Sequence, residues 1–94
     1  MGSERSIRWS DEAVRNLDHI LHEIRDRWTE REVELFKARL VNYLSVIQEF
    51  PLLFPFSGKQ PVLRRAVISS QTSVFYEVRE EIIYLVYLAD NRSE

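Results

Sequence analysis

The residues best equipped for chemistry stand in two groups. His19 and His22 are the two histidines, with Asp18, Glu23 and Asp26 beside them. Imidazoles three positions apart on a helix can share a metal ion, and Asp18 lies four residues before His22. On a helical wheel, however, both fall opposite the apolar stripe, among charges, and a metal site needs a third ligand with supporting groups behind it. A solvated helix face is the simpler account, so neither a metal nor a cofactor is expected. Arg64-Arg65 forms the second group. In an alternating strand these guanidinium groups project to opposite faces of a sheet. One must lie on a helix-covered side or at its rim, where an unpaired charge is costly. There a salt bridge to a helix carboxylate competes with a functional role. The other, beside Tyr76 or Phe75, makes an arginine-plus-aromatic surface suited to a phosphate, a base or a partner carboxylate. The sequence holds no Gly-rich phosphate loop, nucleophile elbow or His-Glu-x-x-His, and Ser69, Ser70 and Ser73 read as turn residues at strand ends.

The elements that must position these groups follow from periodicity. Residues 1–3 carry no pattern, and 1–5 are expected to be flexible; Ser6 to Trp9 reads as a short edge strand. Ser10 caps a helix whose first turn carries Asp11 and Glu12, where the helix dipole favours anions. Ala13, Val14, Leu17, Ile20, Leu21, Ile24 and Trp28 then recur at spacings of three and four, which predicts one buried face. Thr29-Glu30-Arg31-Glu32 has the form of a capping box for a second helix. Its stripe is Val33, Phe36, Leu40, Tyr43, Leu44, Ile47 and Phe50, and Pro51 ends it. Helices joined this tightly fold back as an antiparallel pair. Residues 51–61 form a loop anchored by Leu52, Leu53, Phe54 and Phe56. Beyond it residues 62–68, 72–78 and 82–88 are three β-rich runs with hairpin-length breaks. The fold class is α+β in one domain, 1–94. A short N-terminal strand and an antiparallel helix hairpin pack on one face of a C-terminal antiparallel sheet.

Composition narrows the function classes. The 94 residues are 45% apolar and 30% charged, with no cysteine and a formal net charge of -2. That is the balance of a globular domain without disulfides or thiolate metal sites. A reducing compartment is permitted. No apolar run approaches the ~20 residues of a membrane span, and no leader pattern opens the sequence. The basic excess typical of nucleic-acid binders is absent. The cations are arginine apart from Lys37 and Lys59, a skew that suits planar recognition of carboxylate or phosphate.

The last strand predicts an apolar surplus. Alternation sends Ile83, Leu85 and Tyr87 to one side and Ile82, Tyr84, Val86 and Leu88 to the other. Two helices sheathe one face of a small sheet, so the other needs a loop, a second copy or a different chain. Leu35 and Val41, off the main stripe of the second helix, point the same way: towards a protein that works bound to a partner.

Several segments together resemble the RelE/ParE family of bacterial toxins. They are Trp9-Ser10-Asp11-Glu12-Ala13 with Leu17 and Ile20, then Pro51, Gly58 and Leu63-Arg64-Arg65-Ala66-Val67, then Val74-Phe75-Tyr76-Glu77-Val78, residues 82–88 and Asp90-Asn91-Arg92. Their order and spacing carry the resemblance, which spans about residues 7 to 92. It implies a cytoplasmic toxin of a type II toxin–antitoxin system, kept silent by an antitoxin, with a heterotetramer as a possible assembly. The antitoxin would cover Leu35, Val41, Phe75, Tyr84 and Val86, while Arg64, Arg65, Tyr76 and Arg92 would face the target. One branch of the family poisons DNA gyrase by binding; another cleaves messenger RNA on the ribosome, using Lys and Arg with a C-terminal Tyr or His. Here Arg64 matches the strand arginine, but Lys37 falls on a helix and Lys59 in a loop. No histidine follows residue 22, and three residues remain from Arg92 onwards. The resemblance therefore favours the ParE-like branch, a gyrase-directed inhibitor with no catalysis of its own. The alternatives are a RelE-like ribosome-dependent endoribonuclease and a non-toxic binding module of the same fold.

Overall fold

The computed structural model describes residues 5–58 and 60–91. The chain order is β1 (Ser6–Trp9), α1 (Asp11–Arg27), α2 (Glu30–Glu49), β2 (Arg64–Val67), β3 (Thr72–Val78) and β4 (Ile82–Asp90). The four strands form one sheet in the order β1-β4-β3-β2. As expected, β1 is an edge strand and the three C-terminal strands are antiparallel. However, β1 runs parallel to β4, pairing Ser6 with Ile82 and Trp9 with Leu85, so the sheet is mixed. β2 begins two residues later than the alternation suggests, because Pro61 and the turn after it occupy its expected start; β4 runs two residues longer.

Ser10 locks the start of α1 onto the sheet. Its Oγ accepts from Ala13 N at 2.9 Å, the N-cap bond read from the sequence, and donates to the Val86 carbonyl at 2.6 Å. Asn16 Oδ1 accepts from Leu88 N at 3.1 Å, so two polar side chains at the start of the helix satisfy backbone groups of β4. At the second helix the capping box does not form. Thr29 makes no side-chain cap bond, and Glu32 N turns instead to the Thr29 carbonyl at 3.0 Å. The tight link is braced by Arg25, whose guanidinium donates to both carboxylate oxygens of Glu30 at 3.0 and 3.4 Å. Gln48, near the end of α2, donates to the Arg5 carbonyl just before β1, which fixes the return of the hairpin.

The core lies between the hairpin and one sheet face. Ala13, Phe36, Leu40 and Ile47 meet Ala66, Val74, Tyr76, Ile83, Leu85 and Leu88. Leu17, Ile20, Leu21 and Ile24 pack against this cluster while half-buried; Val14, Trp28 and Phe50, placed in the stripes by periodicity, are exposed. Helix α1 is thus incompletely covered.

β4 departs from simple alternation. Phe75 pairs with Tyr87 but Tyr76 pairs with Leu85, so Val86 is an extra residue in a β-bulge. Everything beyond it changes phase. Leu88 enters the core at 4% exposure, while Tyr87 crosses to the open face and stacks on Phe75 with ring centres 4.5 Å apart. This corrects the expected assignment of both side chains, and it covers much of the apolar surplus. Phe75 retains 1% exposure. Long polar side chains do the rest, laying apolar or delocalised surface over the open face: the Arg65 guanidinium sits 5.8 Å from the Phe75 ring centre, and that of Arg79 lies 4.4 Å over Tyr84. On the sheet Val67 of β2 stays exposed; the other exposed large apolar residues lie on the hairpin at Val14, Trp28, Leu35 and Val41, and at the end of α2 and in the loop after it.

Candidate functional site

Arg64 and Arg65 do project to opposite faces, and each is engaged within the chain. Arg64 lies at the rim of the helix-covered face. Its Nη1 donates to the carbonyls of Phe54 at 2.8 Å and Leu52 at 3.4 Å, and its guanidinium sits 4.0 Å over the Phe56 ring. No helix carboxylate takes the place expected for one. Main-chain oxygens hold this cation, and in doing so they pin the loop after α2. Arg65, on the open face, donates from Nε to Ser73 Oγ and from Nη2 to Asn91 Oδ1, both at 3.0 Å. Ser73 Oγ also donates to that oxygen, and Asn91 Nδ2 donates to the Ser69 carbonyl at 3.1 Å. Ser73 is therefore a wholly buried member of a polar network rather than a turn residue, whereas Ser69 does organise a turn, accepting from Gln71 N and Thr72 N.

Tyr76 departs from the expected target-facing set. It lies in the core with 0% exposure, and its hydroxyl donates to the Pro51 carbonyl at 2.8 Å. Burial pushes its phenol up to about 12, against smaller downward pulls from Arg64 and the Phe54 backbone. The folded protein thus holds a proton that the unfolded chain releases near pH 10. The resulting stabilisation is present below pH 10 and is lost as pH rises from there through 12. Between pH 9 and 11.5 the wild type is expected to lose about 1–2 kcal/mol more unfolding free energy than Tyr76→Phe, measured by urea titration.

The remaining expected contact residues are dispersed. Leu35 and Val41 are exposed on α2, and Tyr84 and Val86 are partly exposed on β4. Phe75 is closed off by Tyr87 and Arg65, so, contrary to expectation, it is not a free contact residue. Arg92 lies outside the described residues. His19 pairs with Glu23 at 3.3 Å and His22 Nδ1 donates to the Asp18 carbonyl at 3.1 Å, both on the exposed side of α1. Among the described residues, no three side chains of metal-binding type come together.

Sequence reasoning missed one concavity. The tip of the hairpin stands off the turn between β2 and β3, leaving a cleft of about 380 Å³ that continues into a second of about 270 Å³. Both are lined by Ile24, Trp28, Phe36, Ser69 and Gln71. Leu35 and Arg39 extend the second, and His19, Glu23, Arg27 and Asp90 edge the first. An apolar floor with a polar rim suits an amphipathic segment of another chain. Ile24 and Leu35, apolar on either side of the two-residue link, and Trp28 within it, were the available signal.

The architecture defines the class first: two helices packed on a four-stranded mixed sheet with an N-terminal strand is the RelE/ParE-like toxin fold. A chain of the chromosomal ParDE TA system of P. aeruginosa shares it with a TM-score of 0.79 at 15% identity, over 93% of this chain and 96% of that one. The E. coli DinJ-YafQ toxin-antitoxin complex contains a chain with TM-score 0.63 at 11% identity, over 97% of each. A point mutant of YafQ from E. coli gives 0.63 at 11%, over 96% of this chain and 97% of that one. No family model and no curated protein matches the sequence.

Proposed function

We propose that this protein is the toxin of a toxin–antitoxin pair, held silent by an antitoxin whose amphipathic segment lies in the groove between the hairpin tip and the β2–β3 turn. The carrying observation is that groove, lined along its length by Ile24, Trp28 and Phe36 with Ser69 and Gln71 and extended by the exposed Leu35, in a chain whose fold is shared with chains of the ParDE and DinJ-YafQ systems. We further read the action as inhibition of DNA gyrase by binding. The engagement of both strand arginines supports this: Arg64 is spent on loop carbonyls and Arg65 on Ser73 and Asn91, which leaves the sheet poorly equipped to grip a scissile phosphate.

Induced expression of the chain alone is expected to arrest growth, with gyrase supercoiling inhibited in extracts and transcripts intact. Co-expression with the product of an adjacent small gene restores growth, whereas Leu35→Glu stays toxic despite that partner, because a carboxylate in an apolar seat weakens docking by about tenfold or more. Normal growth on induction of a folded chain refutes the toxin reading. Codon-positioned cuts in messenger RNA transfer it to the endoribonuclease branch.

A further inference from the structure

The loop after α2 is fastened tightly while its apolar side chains face outward. Pro51 O accepts from the Tyr76 hydroxyl, the Leu52 and Phe54 carbonyls from Arg64, and Pro55 O from Arg65 N at 2.9 Å. Leu53 N donates to the Phe50 carbonyl, and Ser57 N to that of Leu63 at 2.7 Å. Phe54 is anchored beside Tyr43, ring centres 6.1 Å apart. Against this framework Phe50, Leu52, Leu53, Phe56 and Val62 are 55, 66, 63, 56 and 52% exposed. The carbonyl bonds prevent the loop from rolling these groups inward. At these exposures they present on the order of 500 Å² of apolar surface, at the upper end of the ~300–600 Å² of the largest patch on a typical monomer.

We infer that this patch is a self-association surface, covered by a second copy of the same chain about a two-fold axis. Two observations select that occupant. The patch residues are uncharged: segments 50–58 and 60–63 carry no ionisable side chain, and Lys59 between them lies outside the described residues. The neighbouring Arg64 charge already faces carbonyls and the Phe56 ring. Among the described residues, two copies therefore bring these surfaces together without stripping water from an unpaired ion. The area also fits, since two such patches remove about 1,000 Å², the lower bound for a specific interface. Loop and groove share no lining residue, so a paired protein keeps both of its grooves open. Pairing through the loop is independent of any toxin activity.

Sedimentation velocity of the full 94-residue chain, over about 5 to 200 μM, is expected to show a reversible monomer–dimer equilibrium. The double substitution Leu52→Glu with Leu53→Glu should raise the dimer dissociation constant at least tenfold with circular dichroism unchanged, while Leu35→Glu in the groove leaves it unaltered. A wild-type chain that stays monomeric to the highest concentration overturns the inference. So does a dimer insensitive to the loop substitutions; in a monomeric protein, loss of gyrase binding on loop substitution would assign the patch to the target instead.

Discussion

Leu88→Asp is expected to unfold the protein, whereas Tyr87→Asp leaves it folded. The contrast follows from the bulge at Val86, which places Leu88 against Val74 in the core and Tyr87 outside on Phe75. An aspartate at position 88 forfeits roughly 2–3 kcal/mol of apolar burial. It also sets a carboxyl group at a position 4% exposed between the core and the inner wall of the cleft, a further desolvation cost of about 1–3 kcal/mol even after protonation. The sum, on the order of 5 kcal/mol, rivals the whole stability of a domain this small. Tyr87→Asp uncovers Phe75 and costs about 1–2 kcal/mol from lost stacking and burial. Strict alternation predicts the opposite ranking. Thermal melts of the two variants decide between them: no cooperative transition for Leu88→Asp, and a lowered but cooperative one for Tyr87→Asp.

Arg64→Ala is expected to destabilise the fold by about 3 kcal/mol, from a charge-assisted bond to a partly buried carbonyl and the guanidinium–ring contact with Phe56. In a chain of this size that lowers the melting temperature by roughly 15 °C. Arg64→Lys restores little, because an ammonium does not reproduce the planar contact that spans two carbonyls and a ring. Limited proteolysis should then cut between Pro51 and Ser57 first, since the loop loses its fastening while the helices keep theirs. A loss of toxicity in Arg64→Ala is thus uninformative about target contact until its melting curve is known.

How much of this was legible in the residues depends on the range of the interaction. Ser10 announced α1 because a cap is settled within four positions, and Pro51 announced the end of α2 because its ring constrains the residue before it. Alternation puts Val74 and Tyr76 on one side of β3, but it does not say which side meets the helices, so Tyr76 reads as target-facing although it lies in the core. The bulge did not, because residues 82–88 are apolar or aromatic at every position and offer no polar marker to betray a change of phase. Thr29 had the composition of a capping box, but the brief link and the Arg25–Glu30 bridge settled the geometry differently. One of Arg64 and Arg65 reads as a charge needing a partner; that it is Arg64, and that main-chain oxygens hold it, depends on where a loop of several residues comes to rest. The groove was hidden for the same reason, since it exists only between elements distant in sequence.

The position of β4 has a consequence for how the molecule comes into being. The strand is synthesised after the other three, yet it is inserted between β1 and β3, and its bond to Ser10 spans 76 positions. Until it arrives, β1 has no neighbour and the inner side of the hairpin has no complete floor, so the nascent chain passes through a stage with an open hydrocarbon seam. Translation therefore delivers the finished architecture in a single late step, and any early stop before Ile82 yields a fragment unable to close.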